Sequence, residues 1–326
     1  PAPPPAVVRG AAGSGQAAPF PYDLARSVVF TRQGNPAWAG QERDGFPPIR
    51  PNDLFFPDYV DLDKVAIPQA DEQMRLLSNL LIELTRDVLP LPRFWYFPGD
   101  ERAVVILTGD EHGCCGGTRT RFQANVAQSP ASCSVEDWEC VRSTSYVYPN
   151  SNMSDAEAQS WDAQGFELAL HVDTNCNNWT PFSLANFFST QLAGFASLYP
   201  SIPSPVTNRT HCIVWTDWAT HAEVELANGI RLDTNYYYWP PGWVNDRPGF
   251  FTGSGLPMRF ARLDGSVIDV FQAATQMTDE SGQSYPATPN ALLDRALGPE
   301  GYYGAFTANA HTDEGNSALM QAIVAS

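Results

Sequence analysis

The sequence predicts an α/β protein built on parallel strands, either an open sheet or a (β/α) barrel, with its site at the carboxyl ends of the strands. Three observations carry this. Five short apolar runs each end in His, Asp or Asn: Arg102-AVVILTGDEHG, Phe166-ELALHVDTN, Thr210-HCIVWTDW, Gly229-IRLDTNYYYW and Tyr303-GAFTANAHTDEG. A run that is apolar throughout reads as a strand buried on both faces, and polar groups at its end read as a site at the carboxyl edge. Segments with helical character, such as Asp155-AEAQSWDAQG, Ser183-LANFFSTQLAGFASLY and Asn290-ALLDRALG, lie between these runs. Strand and helix in alternation is the signature of a parallel sheet.

Composition narrows the class. Of 326 residues, 43% are hydrophobic and only 17% charged, enough apolar side chain for a large core. The formal net charge is -17. Such a surface repels phosphate backbones and anionic lipids, so nucleic acid is excluded as a partner. No stretch reaches the roughly 18 consecutive apolar residues of a membrane span. Six cysteines without a C-x-x-C pair read as disulfides in an oxidising, secreted setting, with pairings left open by the spacing. The vicinal Cys114 and Cys115 are expected to pair with distant partners.

Taken in order, residues 1–20 are rich in Pro, Gly and Ala and read as a flexible arm or linker. Residues 21–95 form an N-terminal extension or connector. Its one strong helix follows Asp71, where Met74, Leu76, Leu77, Leu80, Leu81 and Leu84 recur at helical spacing behind an acidic first turn. Residues 96–326 hold the alternating pattern, and Asn316-SALMQAIVAS closes it as a helix.

The chemistry gathers at the strand ends. His112, His171 and His311 each terminate a predicted strand, whereas His211 opens one and His221 falls in a helix, so those two read as structural. The adjacent acids Asp110 and Glu111 would repel one another at the end of a buried strand unless a cation or a shared proton relieved them, and a divalent metal is the simplest relief. The alternative is that they cap the following turn by accepting backbone N–H bonds. His171, Asp173 and Asn175 supply further ligand types, which suit zinc or another first-row metal.

Val104-VILTGDEHG resembles the first motif of the NodB-type polysaccharide deacetylases, carbohydrate esterase family 4 and its relatives, in which an apolar strand runs into T-F-D-D-G. Here Gly109 replaces the aromatic, Glu111 replaces the second Asp, and His112 precedes Gly113. The resemblance covers residues 100 to 320 and implies a distorted NodB-like (β/α) barrel. It implies Asp110 as general base and Glu111 as metal ligand. It matches His171 to the first His of H-S/T-x-x-H but places Asn175 where the second belongs, so that Asn175 or His112 would complete the site. It offers Arg209 as the residue that orients the base, Asp233 as the acid beside an aromatic wall, and His311 as general acid, kept protonated by a neighbour such as Asp313. Trp215, Tyr237 and Trp239 would stack on sugar rings. The chain is also similar to a secreted bacterial group with a T-G-D-D/E-H motif, in which a segment like Tyr22-DLARSVVFTRQGNPAW follows an amidotransferase-like domain; residues 21–95 would then be a remnant of one.

The implied activity is metal-dependent removal of acetyl groups from an extracellular polysaccharide or oligosaccharide, with zinc as the cofactor. The alternatives are a glycan-binding module without activity, which the Asn175 departure favours, and a metallohydrolase of another class.

Overall fold

The structure is a computed structural model that describes residues 7–92, 96–113, 116–313 and 318–326. A small antiparallel hairpin, β1 (Gly10–Ala12) and β2 (Gly15–Ala17), comes first, followed by α1 (Leu24–Gln33) and α2 (Gln69–Thr85). Then come β3 (Ala103–Glu111), α3 (Gly117–Gln128), β4 (Thr144–Val147), α4 (Asp155–Asp162), β5 (Glu167–Val172), α5 (Pro181–Leu198), β6 (Thr207–Thr210), α6 (Thr220–Ala227) and β7 (Leu232–Asp233). The remainder is α7 (Pro241–Val244), β8 (Met258–Ala261), β9 (Val267–Gln272), β10 (Thr275–Thr278), α8 (Ala287–Leu297), β11 (Gly304–Asn309) and α9 (Ala318–Ala325).

The main sheet runs β10-β11-β3-β4-β5-β6-β7-β9-β8, and every neighbouring pair is parallel except β8 with β9. Past β7 the chain pairs again. Tyr237 bridges Thr275 in parallel, Tyr238 N–H donates to the Thr275 carbonyl at 3.1 Å, and Thr275 N–H donates to the Tyr236 carbonyl at 2.7 Å. That contact ties the β7 side of the sheet to β10 and closes β10, β11, β3, β4, β5, β6 and β7 into a ring, a distorted (β/α) barrel of parallel strands. Strand pleating then decides which side chains enter the ring. Along β3, Leu107 joins the core cluster beneath α8 and α9, while Thr108 turns inward to donate to Asn309 Oδ1 at 2.8 Å.

Two differences from the sequence reading matter for the site. The apolar run from Cys212 to Trp215 is no strand: β6 is the preceding segment Thr207–Thr210, and His211 follows it. Registers of His171 with Arg209 and Val172 with Thr210 fix this position. Cys212 and Ile213 then reverse the chain with φ values of 57° and 46°, conformations that L-residues enter at a cost. Disulfides join Cys133 to Cys140 and Cys176 to Cys212; Cys114 and Cys115 lie outside the described residues.

The extension lies on the barrel. Buried Arg32 of α1 donates to the carbonyls of Leu256 at 2.9 Å and Gln272 at 3.4 Å, and Gln33 makes a two-bond pairing with the backbone of Ala261 in β8. Leu54, Phe55 and Val65 share one apolar cluster with Trp215, Tyr236 and Phe260. The expected helix is α2, but of its periodic leucines Leu76, Leu77 and Leu81 are exposed. Within the segment read as a flexible arm, the β1–β2 hairpin has a neighbour in α2, since Arg9 pairs with Glu83 at 2.9 Å.

Candidate active site

The carboxyl ends of β3, β5, β6 and β11 surround a cavity of about 180 Å³ lined by Asp110, His112, His171, His211, His311, Tyr237 and Trp239, among others. His171 and His211 are neighbours across β5 and the end of β6, with His171 Nε2 3.3 Å from His211 Nδ1. His112 completes a triangle, its ring centroid 4.9 Å from that of His211 and 5.5 Å from that of His171. One nitrogen from each ring lies within 4.8 Å of the other two.

Two of the three rings are aimed by their other nitrogen. The backbone carbonyl of Arg209 can only accept, so His171 Nδ1–H donates to it at 2.8 Å and the Nε2 lone pair faces the cluster. Asp313 Oδ2 sits 2.6 Å from His112 Nδ1 and likewise leaves Nε2 for the cavity. Burial, the larger effect, and the neighbouring histidines hold the pKa of His211 below the usual imidazole value and that of His171 down to about 3. Neutral imidazoles are what a metal requires, and a contact of 3.3 Å between ring nitrogens matches the edge of a tetrahedron with bonds of about 2.0–2.1 Å. The residues present therefore fit a divalent ion. Tyr148 backs the cluster, stacked on His171 at 5.5 Å.

Beside the cluster lies Asp110, buried inside the ring. Its Oδ2 accepts from Asn309 Nδ2 at 3.0 Å; its Oδ1 has no hydrogen-bond partner and lies 3.5 Å from Arg209 Nε. Burial pushes this carboxyl up, but the charges of Arg209 and His311 facing it and the Asn309 hydrogen bond hold it below the ordinary range. Arg209 is itself fixed, with Nη2 donating to Thr275 Oγ1 at 2.7 Å and its guanidinium 5.2 Å from the Tyr237 ring centre.

His311 also lines the cavity, its ring stacked on that of His112 with centroids 5.3 Å apart. Its backbone N–H donates to Asp279 Oδ2 at 2.7 Å, and its Nδ1 is 3.1 Å from both Asp279 oxygens. Burial lowers its pKa, yet the Asp279 hydrogen bond and the charges of Asp110, Asp279 and Glu280 prevail and raise it to about 9. Asp279, not Asp313, is therefore the acid that holds His311 protonated; Asp313 serves His112.

Gly109 explains how the last strand reaches the site. A Cβ there would lie 2.6 Å from the Ala310 carbonyl oxygen and 2.6 Å from Thr312 Cγ2. The 310–312 segment crosses directly over β3, where Thr312 N–H and Oγ1 both donate to the Asp110 carbonyl, at 2.9 and 3.1 Å. This crossing carries His311 and Asp313 into place, and an aromatic at 109 would bar it.

Several expected residues lie elsewhere. Pleating sends Glu111 to the outer face of β3, where Oε2 accepts from Thr118 N–H at 2.8 Å in the first turn of α3; it caps a helix and does not join the imidazoles. Asn175 is exposed in a left-handed turn and its N–H donates to Asp173 Oδ1 at 2.6 Å, outside the cavity lining. Asp233 is buried against α6 with Glu225 and His221. Trp215 is a core residue stacked on His221 at 4.6 Å and cannot meet a substrate. Tyr237 and Trp239 do line the cavity. Sequence reasoning missed His211, Tyr148, Asp279 and Arg50, which reaches the cavity from the extension with Nε donating to the Cys212 carbonyl at 3.0 Å. Only His211 left a signal, the end of Asn208-RTH, and the apolar run after it masked that end.

Asp313→Asn is expected to weaken metal affinity about 10- to 100-fold, because partners behind a ligating imidazole tune it to that extent. Competition against a chromogenic chelator measures this, with circular dichroism as the control for folding. Equal affinity in the variant would remove Asp313 from this role.

A parallel (β/α) barrel with histidines and an aspartate gathered at its carboxyl end is the class of protein defined so far. No family model matches the sequence, and no curated protein is significantly similar to it. Among solved structures the chain is similar to a family 4 carbohydrate esterase from Streptomyces lividans in complex with acetate, at 14% identity and a TM-score of 0.37, over 68% of this chain and 83% of that one. It is similar to a polysaccharide deacetylase from Bacillus cereus at 11% identity and a TM-score of 0.37, over 68% and 85% of the two chains. A Streptococcus mutans CE4 esterase is similar at 14% identity and a TM-score of 0.35, over 64% and 86%.

Proposed function

We propose that the chain is a metal-dependent hydrolase that removes acetyl groups from an acetylated polysaccharide or oligosaccharide outside the cytoplasm. One observation carries the reading: three imidazoles converge in the cavity that also holds a carboxylate oxygen without a hydrogen-bond partner, on Asp110, and an imidazole that its neighbours keep protonated, on His311. His112, His171 and His211 would hold the ion, zinc in this reading. When bound it would supply Lewis-acid chemistry, activating water and polarising the acyl carbonyl.

The protein's own residues supply the rest. Asp110 Oδ1 takes a proton from the attacking water as the new C–O bond forms, and Arg209 with Asn309 holds that carboxylate in position. His311, its Nδ1 engaged by Asp279, donates from Nε2 to the leaving nitrogen or oxygen as the acyl bond breaks. The products are acetate and the free amine or hydroxyl. Tyr237 and Trp239 offer ring faces to a sugar. The net charge of -17 disfavours anionic substrates and suits a product that gains positive amines. Two disulfides suit an oxidising compartment, and among the described residues no helix is long and apolar enough to cross a membrane.

The reading that lacks catalysis rested on Asn175 in place of a second ligating His. With His211 at the cluster, that gap is no longer a reason to deny the chain a metal. Acetate release from N-acetylated and O-acetylated oligosaccharides, assayed with zinc and after chelation, tests the proposal. Release that chelation stops and zinc restores is the expected result. Glycan binding without release would make the chain a binding module, and release of phosphate or ammonia from other substrates would place it in another class.

A further inference from the structure

Among the described residues, the hydrolytic site leaves unused a wholly buried cluster of ligating side chains. On the opposite face of β6 and β7, beneath α6, His221, Glu225 and Asp233 are all completely buried, and one ligand atom from each lies within 4.8 Å of the other two. We propose that this cluster is a second, structural binding site for a divalent transition-metal ion, with His221 Nδ1 and oxygens of Glu225 and Asp233 as ligands.

Position comes first. His221 and Glu225 are four residues apart on α6 and so share one face of it, while Asp233 ends β7 opposite them. The outward-facing atoms are already committed: His221 Nε2 is 2.9 Å from Thr210 Oγ1, and Glu225 Oε1 accepts from Asn208 Nδ2 at 2.8 Å. His221 Nδ1 is left over, without a hydrogen-bond partner although the residue is wholly buried, and the neighbouring Asn208 Oδ1 is likewise unsatisfied; the Glu225 and Asp233 carboxyls hydrogen-bond each other, and Asp233 also accepts from Asn235 N–H at 3.2 Å and from Asn235 Nδ2 at 2.5 Å. Buried polar atoms are rarely left in this state, because each costs about 1–3 kcal/mol.

Charge points the same way. Among the described residues neither carboxyl pairs with a lysine or arginine; the one basic partner is His221 Nδ1, 3.4 Å from Glu225 Oε1. The pocket thus holds two carboxyls that share a hydrogen bond, an imidazole and, among the described residues, no lysine or arginine. A doubly charged ion meets all three needs together, and imidazole with carboxylate is a donor set for zinc and its first-row neighbours. Because the cluster is sealed from solvent, its ion would clamp α6 to β7 and take no part in turnover.

Zinc stoichiometry tests this independently of hydrolysis. Wild type, His171→Ala, Glu225→Gln and the double variant are equilibrated with zinc, freed of excess by gel filtration and measured by plasma mass spectrometry. The expected counts are two, one, one and zero ions per chain. A count of one in the wild type together with none in His171→Ala overturns the proposal, and it does so even if Glu225→Gln fails to fold. Two ions retained in folded Glu225→Gln, or none in any protein, also overturns it. A wild-type count of one that His171→Ala keeps and Glu225→Gln loses would count against the hydrolytic reading and leave this site standing.

Discussion

His171→Ala should cost the protein one metal ion and about 10³-fold or more in acetate release. The magnitude follows from the several kcal/mol that a Lewis-acid ion contributes to the transition state, at about 1.4 kcal/mol for each tenfold. His171 is the most buried of the three imidazoles in the cavity, its Nδ1 is fixed by the Arg209 carbonyl, and its ring stacks on Tyr148. Its removal would therefore take away both a candidate ligand and a ring that packs against the other two. Metal content and acetate release are measured on the same preparation. Full metal content in the variant would exclude His171 as a ligand, whereas loss of metal with full activity would exclude the metal from the chemistry. His171→Gln, which refills most of the volume, separates a collapsed pocket from a missing ligand.

Asp110→Asn should leave the metal in place and lower kcat by about 10²- to 10⁴-fold, the range that a positioned base contributes. The amide keeps the shape but cannot take a proton. KM should change little, because Asp110 acts on water, and oligosaccharide binding should survive. The substitution also leaves Arg209 buried without its counter-charge, so a lower Tm is expected, and rates are best measured well below it. Unchanged turnover would remove Asp110 from the role of base.

Besides Tyr237 and Trp239, four of the cavity residues could be named from sequence for one physical reason. Asp110, His112, His171 and His311 lie at or just past the ends of apolar strands, and a parallel barrel brings such ends together. What failed depended on direction and not on position. Asp110 and Glu111 are adjacent and invite a shared cation, yet the period of two in a strand sends them to opposite faces, one to the cavity and one to a helix N-terminus. His211 was lost because β6 carries no apolar residue: Asn208 faces Glu225, Arg209 faces Asp110, and Thr210 faces His221. A strand whose neighbours are all polar has no hydrophobic signature, and the adjacent Cys212-IVW was taken for it. Trp215 and Asp233 sit beside the right elements, but both are turned into the packing around α6.

Cloning boundaries follow from the extension's place in the fold. A truncation beginning at residue 96, where the alternating pattern starts, would keep every imidazole of the cavity and look self-sufficient on paper. It would discard Arg50 from the cavity rim, strip Leu54 and Phe55 from the cluster that holds Trp215 and Tyr236, and leave the exposed edge strand β8 without its partner Gln33. The unit that builds this cavity is thus longer than its barrel.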